Sequence, residues 1–164
     1  MIAPGLVSAA MSGVTRSTAR AAADLAGGLI VASVEVAASP DRVFRALASS
    51  EVTDWWIRPG VFDTREWSGD VRVGGGWRAS GVGSGWPYVL EGEFLQIDEP
   101  RKLVHTWRSV GATIGQTTVE YLVEPVEAGS RVTLRHEGFG SRDVCIATCI
   151  GWETSFDRLA QFLA

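Results

Sequence analysis

Between Asp70 and Phe139 the chain lines up one strand candidate after another, and a single long amphipathic helix then closes it. The candidates are "DVRVGGGWRASGVGSGW", "YVLEGEFLQID", "KLVHTWRS", "QTTVEYLVEPV" and "SRVTLRHEGF". Turn chemistry separates them at "GSG", "DEP", "VGATIG" and "EAGS", where Gly, Pro and Asp supply the backbone angles of tight reversals. Connections this short permit only antiparallel neighbours, because a parallel crossover needs a dozen or more residues. Val119, Tyr121 and Val123 alternate with Thr118, Glu120 and Glu124, so one face of the meander is apolar. In the last twenty or so residues (starting after "GFG"), Cys145, Cys149, Trp152, Phe156, Leu159 and Leu163 recur at spacings of four and three. That spacing makes one continuous helical stripe. A sheet with one apolar face and a helix with one apolar stripe bury both by curling the sheet around the helix.

The segment before the meander completes the element order. "LIVASVEVAA" reads as a first strand, rich in Ile and Val. "SPDRVFRALASS" opens as a helix, with Ser39 as N-cap, Pro40 at the first helical position and Asp41 in the first turn. A second short helical piece, "SEVTDWW", stops at "RPG", because Pro59 disfavours a helical residue before it. Residues 1–28 contain no aromatic residue and are rich in Ala, Gly, Ser and Thr. Their first basic residue is Arg16, which does not suit a secretory signal, and Asp24 does not suit a transit peptide. They are expected to be a flexible N-terminal extension, with at most a short helix around "STARAAADLA", and the folded domain is expected over 29–164.

At 164 residues the chain suits one domain with a sizeable core. A net charge of −4 speaks against a nucleic-acid partner, which needs clustered positive charge. Lys102 is the sole lysine among the 15 basic residues, a bias that points to a GC-rich coding sequence. No run reaches the ~20 apolar residues of a membrane-spanning helix, and a cytoplasmic protein, monomer or homodimer, is the expectation.

Candidate chemistry is sparse. Cys145 and Cys149 have the i, i+4 spacing of two ligands on one helix face, and His105 and His136 could complete a zinc site. Both cysteines share a stripe with Trp152 and Phe156, however, where small buried hydrophobes belong. Core packing is the expectation, with no metal and no cofactor. Glu91 and Glu93 share a strand face and have the form of an acid–base pair, but a solvated face is the expectation. Since Val89, Leu95 and Ile97 share their phase, the alternation must break, at a bulge placed near Gly92. "VGGG" at 73–76 is followed by no Lys-Ser/Thr pair and no helix, so it is a strand bend and not a phosphate loop. Gly151 sits inside the long helix at a cost of ~1 kcal/mol against Ala, which suggests a close approach by something else.

Five stretches carry a family resemblance, in order: "SPDRVFRALASSEVTDWW", "DVRVGGGWR", "EGEFLQIDEPRKLVHTW", "TVEYLVEPVEAGSRVTLRHEGF" and "GWETSFDRLAQFLA". Together they resemble the domain named after the activator of heat shock protein 90 ATPase, within the START-like, birch-pollen-allergen-like (SRPBCC) superfamily. The likeness covers about 29–164. It implies an α+β helix-grip fold: a curved antiparallel sheet around a long C-terminal helix, two short helices after the first strand, and a cavity between sheet and helix. It implies no shared catalytic set. The chain departs from the family at "GVGSGW" (81–86), and the N-terminal domain of the eukaryotic co-chaperone is not in it, so a chaperone partner is not the expectation.

Seven tryptophans then acquire meaning. Trp107 shares phase with Leu103 and His105, His136 with Val132 and Leu134, Trp77 follows the glycine bend and Trp152 lies on the gripping helix. Together with Trp55, Trp56, Phe94, Tyr121 and Phe156 they form the expected lining of a hydrophobic cavity for a small apolar or aromatic molecule. A co-chaperone-like interaction module and a polyketide cyclase or dehydratase-like enzyme are the alternatives.

Overall fold

The computed structural model describes residues 17–112 and 115–164. Its elements are β1 (Arg20–Asp24), β2 (Leu29–Val36), α1 (Pro40–Leu47), α2 (Val52–Trp55), β3 (Ile57–Arg58), β4 (Phe62–Gly69), β5 (Gly76–Gly83), β6 (Trp86–Asp98), β7 (Lys102–Ser109), β8 (Thr117–Val126), β9 (Gly129–Glu137) and α3 (Arg142–Phe162). All strands join one antiparallel sheet in the order β1-β2-β9-β8-β7-β6-β5-β4-β3. The sheet curls around α3, which packs on β1 and β2 at one end and on β3 and α2 at the other.

The inner face follows from period-two alternation. Ile30, Ala32, Val34 and Val36 on β2 stand beside Val132, Leu134 and His136 on β9, and next to Val119, Tyr121 and Val123 on β8. All of these side chains are buried. Ser39 caps α1 as the sequence announces, its Oγ accepting from the Arg42 N–H at 3.4 Å, and at the start of α3 Ser141 Oγ accepts from the Val144 N–H at 3.3 Å. On α3, Cys145, Trp152, Phe156 and Leu159 are buried and Cys149 half-buried, and Leu163 at the helix C-cap is buried too.

Three expectations are corrected, and one strand that the sequence reading missed is added. The folded part begins before Leu29: Arg20–Asp24 is an edge strand in register with Ser33–Leu29, and the Ala21 N–H donates to Glu153 on α3 at 3.0 Å. "RAAAD" has weak strand propensity, and its partner β2 decides its conformation; the rest of the expected extension, residues 1–16, lies outside the described residues. The strand read as "DVRVGGGWRASGVGSGW" begins only at Gly76, because Asp70–Gly75 is the loop returning from β4. That β4 strand, "FDTREWSG", lacks clean alternation, which hides it from a pattern reading. The expected break in β6 is present but lies past Gly92, between Phe94 and Gln96, leaving Leu95 exposed. Gly92 has another reason: a Cβ there would collide with the Thr106 carbonyl and the Trp77 indole nitrogen.

Candidate functional site

The ten aromatic and histidine residues singled out from the sequence do come together. Trp152 sits at the centre, with ring centroids 5.7 Å from Trp107, 5.8 Å from Phe156, 5.9 Å from Tyr121, 6.1 Å from Trp56 and 6.4 Å from Trp55. Trp77 extends the cluster through Trp56 at 5.8 Å and His105 at 4.9 Å, and Phe94 lies 6.1 Å from His105. Many of these contacts are edge-to-face, the arrangement the ring quadrupoles prefer.

Two neutral histidines are built into this cluster. His105 and His136 flank Val119 across β8, in the registers His105↔Val119 and Val119↔His136. The Trp152 indole N–H, a donor only, points at His136 Nδ1 at 3.0 Å. Nδ1 must therefore hold a lone pair, and the proton sits on Nε2. Nε2–H then donates to Thr117 Oγ1 at 2.6 Å, and that hydroxyl donates on to the Trp107 carbonyl at 3.3 Å. His105 Nδ1 donates to the Thr106 carbonyl at 2.9 Å. Burial pushes the His136 pKa down to about 3, and the neighbouring His105 acts in the same direction. Burial likewise takes His105 to about 4, against the opposing pull of its backbone hydrogen bond. Trp56 Nε1 and Tyr121 Oη are buried without a hydrogen-bond partner among the described residues. Burial, the larger effect, holds the Tyr121 phenol well above its ordinary pKa, and the Trp56 indole pulls the other way.

Beside the cluster lies a cavity of about 330 Å³ between α3 and the β3–β7 side of the sheet. On α3 its wall is Ala147, Thr148, Gly151, Trp152 and Ser155, a stripe of mainly small residues next to the aromatic one. Phe62 reaches across to Gly151: a Cβ there would stand 3.4 Å from the Phe62 ring, which is the close approach the helical glycine announced. Opposite stand Trp56, Trp107, Leu90, Val61, Thr64 and Tyr88, with Arg58 as the wall's one charged residue. Thr64 and Tyr88 hydrogen-bond each other through their hydroxyls.

Of the ten expected lining residues, only Trp56, Trp107 and Trp152 line this cavity. Trp55, Phe94, Tyr121, His136 and Phe156 are packed into the solid core around it, as is His105. Trp77 borders a different, open groove of about 610 Å³ with Arg78, Glu91, Glu93 and Arg108. There Glu91 pairs with Arg108 and, at 3.6 Å, with Arg78, so the carboxylate pair is half neutralised. Among the described residues no three His, Cys, Asp or Glu side chains gather as a metal site. Burial raises both cysteine thiols above their ordinary pKa.

The comparisons with known proteins fit this geometry. Residues 37–164 match the family described as Activator of Hsp90 ATPase homolog 1-like protein. The chain belongs to that family. No curated protein matches it in sequence. Among solved structures it is similar to a Chromobacterium violaceum protein, with 22% identity over 83% of this chain and 96% of that one and a TM-score of 0.72. A Mycobacterium smegmatis protein has 18% identity over 90% and 97%, with a TM-score of 0.76. A Nitrosomonas europaea protein has 21% identity over 87% and 97%, with a TM-score of 0.70. These likenesses establish the helix-grip fold. No helix among the described residues is long and apolar enough to cross a membrane.

In this family member, the cavity residues missed from the sequence are Arg58, Val61, Phe62, Thr64, Tyr88, Leu90, Ser109, Ala147, Thr148, Gly151 and Ser155. Gly151 alone carried a signal. Ala147, Gly151 and Ser155 do recur every four residues, but small residues beside an aromatic stripe read as ordinary helix surface until the facing wall is known.

Proposed function

We propose that this family member binds a small apolar or aromatic molecule in the cavity between α3 and the sheet, without a chemical step of its own. The observation that carries this reading is the cavity itself. Its 330 Å³ fall at the lower end of ligand-site volumes, and three tryptophans wall it. Its chemistry favours binding over turnover. The titratable side chains in the wall are Arg58 and Tyr88, and burial raises the Tyr88 phenol above its ordinary pKa against the opposing Thr64 hydrogen bond. Neither is a base at neutral pH, and a cyclase or dehydratase needs a group that accepts a proton there.

A panel of apolar fluorophores is expected to bind saturably, with a matching change in tryptophan emission from Trp56, Trp107 and Trp152. Absence of any saturable response across a chemically diverse panel rules the carrier reading out.

The interaction-module alternative has one observation in its favour: Trp86, 76% exposed, beside the tight Ser84–Gly85 turn. A lone ring is a small contact surface. Adding the protein to a heat shock protein 90 ATPase is expected to leave ATP hydrolysis unchanged. A several-fold, saturable rise promotes the co-chaperone reading instead.

A further inference from the structure

The cavity wall carries a formal charge at one place, Arg58. Arg58 ends the two-residue strand β3 and opens the turn Arg58-Pro59-Gly60-Val61, closed by the Val61 N–H donating to the Arg58 carbonyl at 2.9 Å. Pro at the second position and Gly60 at φ 77° at the third define a type II turn, which holds the arginine backbone at the cavity rim. Arg58 makes no ion pair with a described residue. The nearest acidic position in the sheet register, Asp63 opposite Ile57, is taken by Arg65 at 3.2 Å. No Asp or Glu lines the cavity, so its one formal charge is positive. A guanidinium presents a planar fork of donors that matches a carboxylate.

Resting on the reading that the cavity binds a small molecule, the geometry points to its ligand class: an apolar monocarboxylate, alkyl or aryl, whose body lies against Trp56, Trp107 and Trp152 and whose carboxylate meets Arg58 at the rim. Arg58 is only half-buried, so the carboxylate stays near water and avoids the cost of a fully buried ion pair. The Thr64 and Tyr88 hydroxyls share one hydrogen bond and retain one O–H proton between them for a ligand oxygen. The volume holds about eleven water-sized groups at roughly 30 Å³ each, which suits a medium-chain or arylalkyl acid and is small for a sterol.

The test compares octanoate with octan-1-ol and 4-phenylbutyrate with 4-phenylbutan-1-ol by tryptophan fluorescence, in the wild type, Arg58→Met and Arg58→Lys. Each acid is expected to bind the wild type about tenfold or more tighter than its alcohol, the scale of a charge-assisted hydrogen bond. Arg58→Met is expected to abolish that ratio, and Arg58→Lys to restore part of it. Equal wild-type affinities for acid and alcohol overturn the inference, as does a ratio that persists in folded Arg58→Met. If neutral fluorophores saturate while the acids gain nothing, the cavity stands and the carboxylate class falls. If no probe of either kind binds, both readings fall together. The wild-type ratio decides the matter even where a variant does not fold.

Discussion

Truncating Trp55 to alanine is expected to cost ~3–5 kcal/mol of stability, while Trp56→Ala costs roughly 2 kcal/mol and changes ligand affinity. The two adjacent rings have different jobs. Trp55 is 0% exposed, its indole N–H donates to the Ala46 carbonyl at 2.9 Å, and its ring lies 6.3 Å from Phe156. Removing it leaves a void where α1, α2 and α3 meet and strands the Ala46 carbonyl. Trp56 also has little exposure, but its ring walls the cavity and its N–H has no partner among the described residues. Its loss enlarges a hollow already present. Urea midpoints for both variants, measured beside fluorophore affinity, separate the roles. Equal destabilisation with unchanged affinity in Trp56→Ala contradicts the split.

The second large effect is acid sensitivity. His136 and His105 have folded-state pKa values near 3 and 4, both below an unfolded value of about 6.5. Below pH 6.5 the unfolded chain therefore binds protons that the folded chain excludes. Their contribution is fully present above pH 6.5 and is lost as pH falls toward about 4 and then about 3. At pH 5 each histidine accounts for ~2 kcal/mol of lost stability, so the pair removes ~4 kcal/mol relative to pH 7.5. Urea denaturation at the two pH values reads this directly. His105→Phe, which keeps a ring against Trp77 and Phe94, is expected to remove about half of the pH dependence. Level stability between pH 7.5 and 5, or an imidazole resonance titrating near its ordinary value in the folded protein, refutes the buried neutral pair. The Trp152 indole is central here, since a protonated Nδ1 on His136 would face a donor it cannot accept from.

What the sequence determined by itself is local and periodic. The alternation of Val119, Tyr121 and Val123, the Ser39-Pro40-Asp41 start of α1 and the stripe from Cys145 to Leu163 each repeat with the period of their element. Side-chain direction on a regular element is set by backbone geometry, so the inward face could be read without the fold. Gly151 likewise announced a close contact, because a helix carries an interior glycine only at a cost.

What only the tertiary structure decided depends on partners distant in sequence. β1 exists because "RAAAD" pairs with β2 and meets Glu153 on α3, and β4 because β5 supplies its ladder. The doublet Trp55-Trp56 divides because α2 ends at Trp55: Trp56 leaves the helix at φ −81° and ψ 63°, so helical angles do not place its ring. The cavity is the clearest case. A hollow is a difference between the space enclosed by several elements and the side chains that fill it, and no single segment encodes a difference. Most of the aromatic residues that announced a binding site fill the space, whereas Gly151, Ala147 and Ser155, facing Phe62 and Arg58, leave it open.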